Sequence, residues 1–291
     1  MSRIPTLLQI VWMGLLISLF PHAGQAGVIE ARLPTGKVAT ADFHAGNDGL
    51  PAVLILHGFL QTRTFPTIAS TYEALSTAGY TVVAPTLSLG ISRRNKSLSC
   101  EAAHLHSLED DTEEVAFWVR WLEQKRHQSI VLVGHSFGNV QLLSYLRRSP
   151  SPAVTQAILI SLVDVEAKQG PQARDRLAQA LRDRIVHGNN ALLGAEFGNC
   201  RKYVSPPAAL LSYLNVSRNS ILDALARSPV PVEVIMGGKD DRMGADWVEK
   251  LVARGIKVRV IPGASHFFDD QYEFDLQEAV LRALSRRPPG R

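Results

Sequence analysis

Short, almost wholly apolar runs recur along the chain at Ala52–Leu56, Thr81–Pro85, Ile130–Val133, Ala157–Ser161 and Val232–Met236. Runs of this length with apolar residues at nearly every position fit strands buried on both faces, as in a parallel sheet covered by helices. Lys257–Ile261 alternates polar and apolar residues and fits an edge strand. Val28–Leu33 and Lys37–Phe43 flank the turn Pro34-Thr35-Gly36 and predict an antiparallel start to the sheet. Between the strands the apolar spacing becomes helical. It predicts helices over Thr67–Ala78, Leu108–Arg126, Val140–Arg147, Asp246–Arg254 and Phe274–Ser285. In the second of these, Val115, Trp118, Val119 and Leu122 mark the buried face. The acids Glu109, Asp110, Asp111, Glu113 and Glu114 read as a solvated helix start, where negative charge is favourable. Strands alternating with helices predict an α/β fold with a mostly parallel, eight-stranded, doubly wound sheet.

One region breaks the alternation. From Asp164 to about Arg227 the chain is rich in Arg, Gln, Ala and Leu, with little strand signal. Helices are expected at Gln172–His187, Pro206–Leu214 and Ser220–Arg227, separated by Gly188-Asn189-Asn190 and Gly198-Asn199. At roughly 60 residues the stretch is far longer than a simple crossover needs. The domain reading is a core formed by residues 27–163 and 229–291, with a helical cap or lid at 164–228.

The N-terminus has a purpose of its own. Arg3 precedes a nearly continuous apolar run, Leu7–Phe20, ended by Pro21 and followed by Gly24-Gln25-Ala26. That is the layout of a signal peptide, with cleavage expected after Ala26 and export to the periplasm or medium. The run is short for a membrane span, so no stable span is expected after cleavage; the alternative is an uncleaved N-terminal anchor. Export gives meaning to the only two cysteines, Cys100 and Cys200, which are expected to form a disulfide. Such a bridge closes a loop of about 100 residues, worth roughly 4–5 kcal/mol in the chain-entropy model. A net charge of +4, scattered in short clusters, fits ordinary surface and gives no reason to expect a nucleic-acid partner.

The candidate chemistry sits at the ends of the strands. The run Ile130–Val133 leads into Gly134-His135-Ser136-Phe137-Gly138 and then a helix. In a strand–turn–helix of this kind the turn lifts the Ser hydroxyl clear of the sheet, and glycines flank it because side chains would strike the neighbouring strand and helix. The Phe137 N–H lies at the helix start, where it can face a developing negative charge. The strand Ala52–Leu56 ends in His57-Gly58-Phe59, with His57 expected to brace its loop rather than act as a base. Gly237-Gly238-Lys239-Asp240 follows a later strand, and Gly263-Ala264-Ser265-His266-Phe267 follows the last. His104 and His106 lie in the long loop from Thr86 to Leu108; without a third ligand at a familiar spacing they read as pocket wall or disulfide-held loop, and no metal is expected.

Ser, then Asp, then His, each after the C-terminal end of a strand, is the order of a known catalytic arrangement. On these motifs the chain, from about Val28 to Ala283, resembles the α/β-hydrolase family. The resemblance implies a Ser136–His266–Asp240 triad, with the backbone N–H groups of Phe59 and Phe137 as oxyanion donors. Asp241 competes with Asp240 for the carboxylate role; the family spacing Gly-x-x-Asp favours Asp240. His135 is given no catalytic role. A Ser nucleophile points to hydrolysis of a carboxylic ester on a small-molecule or acylated substrate, without a cofactor. Amide, thioester or acyl-transfer chemistry on the same triad is the alternative. A non-catalytic binding protein on the same fold is the reading from another class.

Overall fold

The structure, a computed structural model, describes residues 26–148 and 150–286. The expected export signal therefore lies outside the described residues, apart from Ala26, where the first strand begins.

The main sheet holds β1 (Ala26–Arg32), β2 (Val38–His44), β3 (Ala52–Leu56), β4 (Thr81–Thr86), β5 (Ile130–His135), β6 (Val154–Ile160), β9 (Val232–Gly237) and β10 (Lys257–Ile261). Their spatial order is β1-β2-β4-β3-β5-β6-β9-β10. β1 pairs antiparallel with β2, and β2 with β4; every later pairing is parallel. The helices of this layer structure are α1 (Pro66–Thr77), α2 (Leu108–Gln124), α3 (Gly138–Arg148), α7 (Trp247–Ala253) and α8 (Tyr272–Ser285).

The period-two geometry of a strand explains why the central strands are apolar throughout. In β3, Leu54 and Leu56 enter one core with Trp118 and Leu122 of α2 and Val140 and Leu143 of α3. Val53 and Ile55 enter the other, with Ile68 and Leu75 of α1 and Leu276 and Val280 of α8. Each such side chain contributes about 1.5–3 kcal/mol on full burial, and both faces need covering.

The acidic start of α2 is only partly solvated. Ser107 caps the helix in a reciprocal box with Asp110. Asp111 and Glu114, however, are buried, because they share the helix face of Val115 and Trp118. Asp111 bonds His106, Gln141 and Tyr213, and Glu114 accepts the N–H of Ser88 with both oxygens. All of these partners but His106 lie 26 or more residues away in sequence, so the local pattern of charges gives no hint of burial.

Between β6 and β9 lie α4 (Pro171–Val186), β7 (Leu193–Phe197), β8 (Cys200–Ser205), α5 (Pro207–Leu214) and α6 (Arg218–Ala226). The three helices fall where the sequence places them. The antiparallel hairpin β7–β8 is not among the expected elements: the stretch read as having little strand signal carries two strands. Gly198, at φ 56°, opens the turn between them. Cys200, at the start of β8, is disulfide-bonded to Cys100 of the β4–α2 loop, with Cα atoms 5.3 Å apart. Backbone bonds extend the join: His104 N–H donates to Val204 O at 2.8 Å, and Ala103 pairs with Val204 in a parallel bridge. Among the described residues no helix is long and apolar enough to cross a membrane.

Candidate active site

Ser136 sits on the two-residue turn between β5 and α3 at φ 55°, a left-handed conformation unusual for serine. The turn is held on both sides. Ser136 N–H donates to Ile160 O at 2.9 Å, and Asn139 Nδ2 donates to the same oxygen at 2.8 Å. Gly138 lies against β3: a Cβ there would stand 2.4 Å from His57 O. Only glycine lets the start of α3 come so close to the loop that follows β3.

The two loops after β9 and β10 are interlocked. Lys239 N–H donates to Ala264 O and Gly238 N–H to Ile261 O. A side chain at Gly237 would strike the carbonyls of Ser265 and Ala264 at 2.3 and 2.5 Å. This contact places Asp240 against His266: Asp240 Oδ2 is 2.7 Å from His266 Nδ1. His266 Nε2 is in turn 2.8 Å from Ser136 Oγ. A carboxylate facing Nδ1 requires the proton there, so Nε2 is left as acceptor for the serine hydroxyl. The His266 and Asp240 side chains are almost fully buried. Asp241 is exposed, on the cavity wall, and bonds neither histidine nor serine.

Two further residues, invisible as site residues in the sequence, hold the His266 backbone. Its carbonyl accepts from Ser161 Oγ at 2.8 Å and from His135 Nε2 at 3.1 Å. His135 is wholly buried, and burial, with the neighbouring His266, pushes its imidazole down to about 3. It is therefore a neutral donor, a positioning residue within the nucleophile elbow itself, the strand–turn–helix segment 134–138. No pattern in the sequence distinguishes Ser161 from any other strand-end serine.

His57 braces its loop as expected. Its Nε2 accepts from Leu87 N–H at 3.0 Å and from Arg94 Nη2 at 3.1 Å, so Nδ1 carries the proton and donates to Gly58 O at 2.9 Å. Burial, aided by the Arg94 guanidinium, pushes this imidazole down to about 3. Arg94 also donates to the carbonyls of Leu87 and Gln61, tying the β3–α1 loop to the end of β4. Among the described residues the N–H groups of Phe59 and Phe137 donate to no acceptor. Their rings pack edge to face with centroids 5.3 Å apart.

His104 and His106 serve the packing of the insertion. His104 stacks on Tyr203 at 4.1 Å, and His106 Nδ1 lies 3.0 Å from Asp111 and 2.8 Å from Tyr213 Oη. The Phe59 ring meets Phe197 and Tyr203 of the hairpin, and a Cβ at Gly198 would stand 3.1 Å from its Cζ.

Ser136 and His266 open on a cavity of about 610 Å³. Core residues Phe59, Phe137 and Arg242 form part of its wall, and Val165, Lys168 and Phe197 of the insertion form another part. The arrangement can deliver a hydroxyl nucleophile, move its proton through an imidazole and present two N–H groups beside it.

The sequence model of the alpha/beta hydrolase family matches residues 53–274. Among solved structures the chain is similar to Est1E from Butyrivibrio proteoclasticus, at 14% identity and a TM-score of 0.62, covering 89% of this chain and 100% of that one. It is similar to the esterase domain of a Rhodothermus marinus protein at 17% identity and a TM-score of 0.60, covering 90% and 98%. A bromoperoxidase from Bacillus anthracis gives 18% identity and a TM-score of 0.59, covering 89% and 100%. A comparison with curated proteins finds no match. With its eight-stranded sheet and a family match that spans the elbow, the Asp240 turn and the His266 loop, this chain belongs to the alpha/beta hydrolase family.

Proposed function

We propose that the chain is an exported serine hydrolase that cleaves a carboxylic ester through an acyl-enzyme. The observation that carries this reading is the 2.8 Å approach of Ser136 Oγ to His266 Nε2, on a turn that opens on the cavity. Ser136 Oγ attacks the ester carbonyl carbon as its proton passes to His266 Nε2. Asp240, at Nδ1, keeps the tautomer and stabilises the imidazolium. The carbonyl oxygen becomes an oxyanion that accepts from the Phe59 and Phe137 N–H groups. When the C–O bond breaks, the leaving alcohol takes the proton from Nε2. Water then repeats the sequence, releasing the acid and restoring Ser136.

The insertion 164–228 acts as a cap over this site, since Val165, Lys168 and Phe197 line the cavity. Export agrees with the Cys100–Cys200 disulfide, because such bonds persist in oxidising compartments. N-terminal sequencing of the secreted protein tests it: a chain beginning at Gly27 is expected, and an intact Met1 would overturn cleavage.

The test of the chemistry is labelling of the folded protein by a fluorophosphonate, with peptide mapping of the adduct. Stoichiometric modification of Ser136, abolished in Ser136→Ala, is expected. A folded protein that takes no label and hydrolyses no p-nitrophenyl ester would overturn the reading.

A further inference from the structure

The cavity is unevenly charged. Its wall carries three cations, Lys168, Arg174 and Arg242, and two carboxylates, Asp164 and Asp241. One of those carboxylates is already matched. Asp164 is gripped by Arg218, whose Nε lies 3.0 Å from both oxygens and whose Nη2 is 2.6 Å from Oδ2. Arg218 also takes up Glu166, through its own N–H at 2.9 Å. Asp175 lines a separate groove.

The cations have no such partners. Arg174 is 5% exposed, yet forms no ion pair among the described residues. Its Nη2 donates to Val216 O at 2.9 Å, which fixes the guanidinium without neutralising it. Its Nε and Nη1 have no acceptor among the described residues, and Arg174 is one of the residues that line the cavity. Lys168 bonds no acceptor among the described residues. Arg242 lies over the Phe267 ring at 4.6 Å; its backbone N–H donates to Asp240 Oδ1 at 3.2 Å, and its guanidinium forms no ion pair among the described residues. Arg174 also sits near the amino end of α4, whose first turn holds no acid and whose N-cap makes no side-chain bond. The helix dipole there adds to the positive potential instead of relieving it. Burial disfavours the Arg174 charge; Glu166, Asp164 and Asp175 nearby offset part of that cost without pairing with it, and an anion in the cavity would offset more.

We infer that the substrate carries an anionic oxygen group, a carboxylate or a phosphate, away from its scissile ester, and that Arg174 and Lys168 hold it. This deepens the esterase reading and rests on it for the word substrate. The anion site itself is a property of the cavity. A buried guanidinium already fixed by one carbonyl is suited to charge-assisted bonds with such a group. Lys168, at the rim, would act as a point charge that draws the anion in.

The experiment has two arms. In the first, kcat/KM is measured for mono-p-nitrophenyl glutarate and its neutral counterpart p-nitrophenyl pentanoate, with the diacid chain then lengthened by single carbons. A ratio above about 10 in favour of a hemiester is expected at low salt, falling as salt rises. Lys168→Glu and Arg174→Gln should each lower that ratio by about 10- to 100-fold, the range for loss of a charge-assisted contact. Arg174→Lys should restore part of it. Ratios at or below one along the whole series, or ratios untouched by Lys168→Glu, would overturn the inference while leaving the esterase intact. In the second arm, glutarate and inorganic phosphate are titrated by calorimetry into the Ser136→Ala protein, which separates binding from catalysis. Saturable binding that Lys168→Glu weakens supports the site even if no ester is hydrolysed, and the stronger of the two anions names the group. Absence of binding by both anions counts against the site whatever the esterase assay reports.

Discussion

Replacing Gly138 by alanine tests the contact on which the site geometry depends. The added Cβ would stand 2.4 Å from His57 O and 2.9 Å from Leu56 O, whereas ordinary contact begins at 3.4 Å. Both obstacles are backbone carbonyls at the end of β3, so no side-chain rotation relieves them. Gly138 has no positive φ, so the substitution is not resisted by its own backbone conformation. The segment His57–Phe59 and the start of α3 must instead move apart by about 1 Å, a displacement that costs roughly 100-fold when it misplaces reacting groups. That separation moves the Phe59 N–H away from the Phe137 N–H. We expect kcat to fall by about 100-fold, equivalent to about 2.7 kcal/mol. Overpacking should lower stability by about 1–3 kcal/mol. The assay is kcat and KM on p-nitrophenyl pentanoate, beside urea denaturation. Gly49→Ala is the control, since a Cβ there meets nothing within 4 Å. A Gly138→Ala protein with kcat within about twofold of the native value and undiminished stability would refute the close approach of β3 to the elbow.

Asp240→Asn should lower kcat by about four orders of magnitude, as removal of the carboxylate behind a catalytic histidine does, whereas Asp241→Asn should lower it by less than about tenfold; the reverse pattern would move the role to Asp241. Replacing Cys100 and Cys200 together by serine should lower the unfolding free energy by about 4–5 kcal/mol, read by guanidinium denaturation, and a loss under about 1 kcal/mol would show that the bridge constrains little. Acidification should also destabilise the fold. His57 and His135 have folded values near 3 against an unfolded 6.5, so the stability they lend is complete above 6.5 and is lost as pH falls from 6.5 toward 3. Glu114 runs the other way: burial pushes it from 4.5 to about 7, so its contribution is complete below 4.5 and is lost as pH rises through 7. Between pH 6.5 and 4.5 these three groups leave a net loss on acidification that averages about 1.2 kcal/mol per pH unit. Glu114→Gln should steepen that fall. Denaturation midpoints at pH 7, 5.5 and 4.5 measure both, and a native protein that gains stability over that interval would contradict the burial of the two histidines as neutral groups.

The sheet was legible because its central strands are buried on both faces, and only a continuous apolar run can satisfy that. The elbow was legible because glycine and serine stand in fixed relation to such a run. Ser136, Asp240 and His266 could be named from strand ends alone, and the structure brings their side chains together. What escaped depended on distant partners. Asp111 looks like its solvated neighbours until Tyr213 and His106 arrive from about 100 residues later and five residues earlier. The hairpin β7–β8 is held by the disulfide and by the bridge to Ala103, so its short, mixed strands carry little intrinsic signal. Gly198-Asn199 was readable as a break, and only the docking loop decides that the break joins strands. Arg174 looks like any cation on an amphipathic helix; its guanidinium is fixed by Val216, 42 residues later and just past α5.

The Phe59 ring lies between Phe137 of the elbow and Phe197 and Tyr203 of the hairpin, and the hairpin is bonded to the β4–α2 loop. Three stretches far apart in sequence, 57–60, 99–106 and 193–205, therefore form one inheritable unit. A change tolerated in one is conditioned on the other two, so a chimera that imports a foreign hairpin alone would carry a mismatched ring against its own Phe59. α4 packs chiefly on α5 and lies outside that bond. Lineages of this enzyme should accordingly diversify their choice of ligand along α4, while the aromatic clamp and its cysteines drift together or not at all.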